Sequence, residues 1–531
     1  MKKSRKVVKR GNNLHKKINK FNRSYKSKPR KITLGGKAVD SGGYGCIFMP
    51  QLESYNCQGH TSANNDKESY ISKLMLKPDA EDEYKNTQRI NEIMERGDKR
   101  ILNYVLTNDT SLCQVRRMSG DDLNGFSTHC KKLKSSGFNF NDYNMSDISP
   151  DRLRKLRVIN SPNGGNNLYF IFNYLRENSS LELNRQFCIR YSEKIKNVYE
   201  NAIYLFYKLS PKIIHGDMKE ENLICKFSKL PPTISGTIKV IDWGLSYLYD
   251  PNSPGNNNTN LSSTMKQIGR RPYQFNLPFS IVLYDTAFQQ AYKQRVLEHL
   301  NSLPPNSRVN QKQLIEEFCD SYFNNQYFFE SRKGERKYIL DDFNKSIFIV
   351  VKRIFPDIRM SLEDYVRNYL ATILNKYTYA TRRQLSVFSF GTDRATNTPR
   401  GFAFHIDLFS SEIYLPMADS YGFFLTYGSL LSYLLFKNTT TLSHTFSGNS
   451  ILQQSGYQPY MGNTPYNHIM KGGNNDRYTN TLSSICKFIA NKIISQCLVF
   501  DESITGEDYR RNTLNYTREI HNQILRLNNI N

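Results

Sequence analysis

Two short apolar runs, Ile213-Ile214 and Ile238-Lys239-Val240-Ile241, each end in an acidic turn. The first is followed by His215-Gly216-Asp217-Met218-Lys219-Glu220-Glu221-Asn222 and the second by Asp242-Trp243-Gly244. This pairing constrains the chain more than any other feature, because apolar runs of that length read as buried strands, and a carboxylate leaving a buried strand needs a partner. Within eight residues the first turn supplies an Asp able to accept a hydroxyl proton, a Lys able to neutralise a phosphoryl group and an Asn able to hold a metal. Asp242, twenty residues beyond Asn222, is placed to hold Mg²⁺ against nucleotide phosphates.

A third feature lies upstream. Asp40-Ser41-Gly42-Gly43-Tyr44-Gly45-Cys46-Ile47 puts glycines between two strand-like runs, Lys37-Ala38-Val39 and Cys46-Ile47-Phe48-Met49. Glycines there let the backbone approach phosphates with its N–H groups; a glycine-rich hairpin without a ligand has the same pattern. Tyr70 to Leu76 reads as a further strand carrying Lys73, and Asp79 to about Glu95 has helical spacing, with Tyr84, Thr87, Ile90, Ile93 and Met94 on one side. Leu181 to Tyr207 is a long helical pattern, and beyond Ile241 the chain reads as mostly helical. The stretches Asn56 to Lys67, Ser119 to Asp147, Tyr249 to Thr264 and Gly472 to Thr481 read as loops.

The set of motifs resembles the eukaryotic-type serine/threonine protein kinases. The wording Ser41-Gly42-Gly43-Tyr44-Gly45-Cys46-Ile47-Phe48, followed by Ile71-Ser72-Lys73-Leu74-Met75, looks like the divergent members encoded by giant (nucleocytoplasmic large) DNA viruses such as mimiviruses. The resemblance implies an α+β, bilobal fold: a small β-rich lobe at 37–160 and a large helical lobe at 161–531 that includes a family-specific insert at 279–418; residues 1–36 lie outside it, and their composition, with few large apolar residues, reads as a disordered basic arm. It implies ATP and Mg²⁺ as cofactors. Gly42, Gly43, Gly45 and the adjoining Ile47 match the phosphate-covering loop, with Asp40 where the pattern's first glycine stands. Lys73 matches the lysine on the α- and β-phosphates. Its helix partner is sought among Glu81, Glu83, Glu92 and Glu95, with Glu83 preferred. Residues 160–168 match the hinge. Asp217 is the implied catalytic base, Lys219 steadies the transferred phosphoryl group, and Asn222 and Asp242 hold Mg²⁺. Lys two places after the Asp is the serine/threonine form.

Three departures accompany the match. Gly216 stands where an Arg often precedes the catalytic Asp, which removes the cation that would pair with a phosphorylated activation segment. The segment runs through Gly269-Arg270-Arg271-Pro272-Tyr273 to Phe275-Asn276-Leu277-Pro278 without Ala-Pro-Glu. About 140 residues then separate Pro278 from Asp419, the implied start of the buried central helix, and so long a stretch must hold ordered structure of its own. His405-Ile406-Asp407 and Gly391-Thr392-Asp393 have fragments of the catalytic wording but not its surroundings, and read as structural.

Charge divides the chain again. Residues 1–39 carry fifteen Lys or Arg and no acid, leaving 58 basic against 48 acidic residues for the rest of a chain whose formal charge is +25. The arm is expected to contact nucleic acid or anionic surfaces without specificity. Nine cysteines at irregular spacing, with no Cys-x-x-Cys pair, read as reduced thiols in an intracellular protein, not a secreted one; the resemblance implies the host cytoplasm or the virion. The most apolar run, Gly422 to Phe436, is interrupted by Thr426, Tyr427, Ser429 and Ser432 and reads as a buried helix, not a membrane span. The alternatives to a kinase acting on protein hydroxyls are a catalytically weak scaffold with a polyanion-binding arm and a kinase of small molecules.

Overall fold

The computed structural model describes residues 36–41, 45–59, 69–107, 110–116, 118, 122–138, 150–178, 184–254, 258–271, 274–304, 309–324, 343, 347–380, 388–390, 402–437 and 474–529. The fold is α+β, and the chain divides into two compact units: one of Met1–Gln58, Ala63–Lys77 and Leu112–Asn160, the other of Gly59–Ser62, Pro78–Ser111 and Ser161–Asn531. The basic arm, but for Gly36, lies outside the described residues, as do Gly42, Gly43 and Gly391-Thr392-Asp393.

The first unit is built on a six-stranded sheet in the order β1-β2-β4-β6-β5-β3, where β1 is Lys37–Ser41, β2 Gly45–Met49, β3 Ser54–Gly59, β4 Tyr70–Leu76, β5 Ser111–Val115 and β6 Leu156–Pro162. β1 pairs antiparallel with β2, and β2 with β4. One face of the sheet packs Phe48, Leu74, Leu156 and Val158 against Phe126 and Leu133, which come from two short helices, Phe126–His129 and Lys131–Ser135. Within the described residues those helices correct the reading of Ser119 to Asp147 as a loop, and strand β3 that of Asn56 to Lys67 over residues 56–59; residues 60–67, 119–121 and 139–147 lie outside the described residues. Their polar residues lie on outer faces, which hides short elements from a search for apolar periodicity.

Four of the nine cysteines are also paired: Cys46 in β2 with Cys130, Cα atoms 5.1 Å apart, and Cys57 in β3 with Cys113 in β5, at 4.1 Å. The expectation of reduced thiols throughout is therefore corrected for this unit. The partners are 84 and 56 residues apart, and connectivity over such spans cannot be read from spacing. Beneath the same sheet, Asn160 Oδ1 accepts from Ser72 Oγ at 2.5 Å, and its Nδ2 donates to Ser54 Oγ at 3.1 Å, satisfying polar groups at the buried end of β6.

Helix α1, Lys77–Arg96, belongs to the second unit from Pro78 on; it has Pro78 and Asp79 in its first turn and Arg96 in its last, as the backbone geometry and dipole of a helix favour. It buries Ala80, Glu83, Thr87, Ile90 and Met94, at helical spacing. α1 thus groups with the large unit, and the boundary expected at residue 160 leaves out this excursion. Further on come β7 (Asn166–Asn167), α2 (Leu168–Glu177) and α3 (Arg185–Val198), the last continued by a wider turn to Phe206. β8 (Lys212–Ile214) pairs with β11 (Tyr247–Tyr249), and β9 (Leu223–Lys229) lies between β7 and β10 (Pro232–Val240). The apolar runs that opened the argument are therefore strands whose ends deliver the two acidic turns.

All of the next labelled helix, α4 (Leu415–Leu425), is buried, as a helix apolar on every side must be. Asp419 lies in its middle and not at its start, because Ile406–Phe409 and a wider turn at Ser410–Tyr414 lead into it without a break. Thr426 separates α4 from Tyr427–Lys437, so the Gly422 to Phe436 run forms parts of two helices. Gly472 to Thr481, expected as a loop, contains the start of a helix over Asn474–Ile493. The described residues of the 279–418 insert share the core of this unit: Phe279 packs on Phe343 at 5.3 Å, Tyr369 at 6.0 Å and Tyr421 of α4 at 6.4 Å. Among the described residues no helix is long and apolar enough to cross a membrane.

Candidate functional site

The first acidic turn is held from three directions. Asp217, its side chain 6% exposed, lies 3.0 Å through Oδ2 from Lys219 Nζ. Asn222 Nδ2 donates to the same oxygen at 3.0 Å and to the Asp217 carbonyl at 2.7 Å. On the opposite side Asn276 Nδ2 donates to Asp217 Oδ1 at 3.0 Å and to the Met218 carbonyl at 3.2 Å. Both oxygens of the carboxylate are thus oriented by donors.

The backbone of the turn is fixed from below by Asp419. Its Oδ2 accepts from the His215 N–H at 2.7 Å and its Oδ1 from the Gly216 N–H at 2.6 Å. Burial pushes the Asp419 carboxyl above the usual range, opposed by His215, by these two N–H groups and by Arg271. Gly422, one turn along α4, has no alternative: a Cβ there would run into the Met218 carbonyl and lie 2.7 Å from that of Asn276.

The second acidic turn docks on the first. Ile241 N–H donates to the Asn222 carbonyl at 3.0 Å, and His215 Nε2 lies 2.9 Å from the Ile241 carbonyl. The His215 ring meets Trp243 edge-on at 4.8 Å, and Trp243 meets Phe206 in the same manner at 5.5 Å. Asp242 adopts a left-handed conformation, φ 64° and ψ 73°, which costs a non-glycine residue about 1–3 kcal/mol and persists only where its surroundings impose it. An added Cβ on Gly244 would lie 3.0 Å from Glu83 Oε2 and 3.6 Å from Asp242 Oδ1, so two carboxylates flank one α-carbon. Asn222 and Asp242 together offer amide and carboxylate oxygens, the hard donors that suit Mg²⁺.

Among the four candidate glutamates, Glu83 alone is buried. Three residues along α1, Asn86 Nδ2 donates to the carbonyls of Trp243 and Ser246 at 3.0 and 3.1 Å and to Ser246 Oγ at 2.7 Å. These bonds tie α1 to the Asp242 turn and explain why it groups with the large unit. In the first unit, Lys73 of β4 stands opposite Ile47 of β2, which in turn stands opposite Asp40 of β1. Gly45 is demanded by the sheet: a Cβ would lie 2.8 Å from the Leu74 carbonyl. Asp217, Lys219, Asn222, Asp242 and Glu83 belong to the second unit, and Gly45, Ile47 and Lys73 to the first.

Asn86 is not among the residues the sequence singles out, and Arg271 and Asn276 stand there only as members of the segment 269–278, with no role assigned. Asn86 had a weak signal, one helical turn from Glu83; Asn276 had none, since its partner is 59 residues away. No protein-family model matches the chain, and no curated protein matches it.

Proposed function

We propose that the chain is a Mg²⁺- and ATP-dependent serine/threonine protein kinase of the divergent kind encoded by giant DNA viruses, with the sheet unit as its small lobe. The observation that carries the proposal is the hold on Asp217, whose two oxygens are oriented by Lys219, Asn222 and Asn276. A carboxylate so placed orients a substrate hydroxyl and accepts its proton. Lys219, 22% exposed, remains able to meet a phosphoryl group. Asn222 and Asp242 would hold the metal, which supplies charge neutralisation on the nucleotide phosphates. Lys73, Glu83, Ile47 and the glycine loop take the nucleotide in this scheme, and Lys219 favours serine and threonine over tyrosine. The scaffold alternative is weakened by the completeness of the set. The basic arm serves placement on polyanions; of the host cytoplasm and the virion, the particle is where paired cysteines persist.

Transfer of label from ATP to generic protein substrates tests the proposal. Wild type should label them only with Mg²⁺, and Asp217→Ala should lose about 10²–10⁴-fold in turnover, the range of general-base catalysis. Equal labelling by the variant removes the assignment. Trp243, the sole tryptophan, should change its fluorescence on ATP titration.

A further inference from the structure

The glycine that replaces the usual cation before Asp217 is not an empty place. Gly216 has φ +69°, and a Cβ built on it would lie 2.5 Å from Arg271 Nη1 and 2.7 Å from both Cζ and Nη2. The Arg271 guanidinium therefore lies flat on the Gly216 α-carbon, in the volume any other residue's side chain would take. Arg271 Nη1 donates to the Gly216 carbonyl. The same guanidinium sits 4.9 Å from the centre of the Tyr247 ring, which β11 places opposite Ile214 at the end of β8. It is also close enough to Asp419 to favour that carboxylate's charge. Carbonyl, aromatic face and carboxylate form a socket suited to a planar cation, and lysine fills such a socket poorly.

The position of Arg271 in the chain gives the socket its meaning. It stands just after the helix Leu261–Gly269, with its N–H on the Ile268 carbonyl at 3.0 Å, and five residues before Asn276, which holds Asp217. We propose that Arg271 is a positioning residue: it clamps the segment to the turn carrying Asp217 and so sets Asn276 against that carboxylate without any phosphate on the segment. The inference rests on the kinase reading and adds its mode of regulation. A cation supplied by the segment meets acceptors on the catalytic turn, so the assembled state is built into the fold and needs no modification to form.

The test uses the full chain in three forms: wild type, Arg271→Ala and Lys266→Ala, the last removing an exposed cation from the neighbouring helix. Phosphatase treatment should leave wild-type turnover unchanged. Arg271→Ala should lower turnover about 10²-fold, the scale of a misplaced catalytic group, with the KM for ATP within twofold. Guanidinium at tens of millimolar should restore part of it where equal ammonium does not, and Arg271→Lys should recover less than half. Loss of wild-type turnover on phosphatase treatment, or an Arg271→Ala enzyme indistinguishable from Lys266→Ala, overturns the proposal. Amide exchange at residues 274–278 separates this from failure of the kinase reading. If wild type transfers no phosphate, faster exchange there in Arg271→Ala still supports the clamp, and unchanged exchange removes it.

Discussion

The two units reach stability by different means. Among the described residues the sheet unit's core includes three half-cystines, Cys46, Cys113 and Cys130, and two cross-links span it. The larger unit runs one continuous core from α1 through α4 to the C-terminal helices, and its five cysteines, Cys188, Cys225, Cys319, Cys486 and Cys497, are all buried free thiols. Burial pushes the Cys188 thiol up to about 12, which keeps it unreactive. Small units bury a smaller fraction of their surface and gain more from constraining the unfolded chain. The same sulfur chemistry is thus structural in one unit and mere packing in the other.

The largest effect expected from breaking this contrast is in the sheet unit. Loops of the observed separations, 84 and 56 residues, correspond to about 4 kcal/mol each in loop-closure entropy. Cys46→Ser with Cys57→Ser should therefore abolish amide protection in β2 and β5 while leaving α3 protected; equal protection everywhere would erase the distinction between the units. Next in size is the polar anchor of the large unit. Arg510 is 1% exposed, bonds to the Tyr204 carbonyl and Glu507, and lies 4.7 and 4.9 Å from the rings of Tyr204 and Tyr207. Arg510→Leu should cost about 2 kcal/mol, below the cost of breaking a fully buried pair because Glu507, 41% exposed, can regain water. Urea denaturation should show the loss in the large unit and none in the protection of β2.

A third effect is one of pH. Burial, aided by neighbouring Glu221, pushes the Glu220 carboxyl from 4.5 to about 8. The folded state then holds this proton more tightly than the unfolded chain does, so stability falls as pH rises from about 4.5 to about 8. Glu220→Gln should match wild type in Tm at pH 5 and exceed it at pH 9. A variant less stable at pH 9 would mean that the charged carboxylate is compensated.

Much of the site was legible before folding. The strands β1, β2, β4, β8 and β10, and helix α1, follow from apolar spacing, and the two acidic turns are local stretches whose chemistry depends on residues within eight positions. Glu83 was preferred among four glutamates, but only burial separates it from Glu81, since both sit in the early turns of one helix. Short elements such as β3 and the helices at 126–135 escaped because too few apolar residues mark them.

The sequence by itself determined which groups are available: an Asp, a Lys and an Asn in one turn, a second Asp after a buried strand, and a glycine immediately before the first Asp. Tertiary structure alone decided how those groups are held. Asn276 reaches Asp217, Asp419 caps the turn from more than two hundred residues away, Arg271 fills the space over Gly216, and four cysteines find partners. Spacing rules describe neighbours along a helix or strand, whereas these contacts exist only once distant segments pack, and packing depends on the whole core at once.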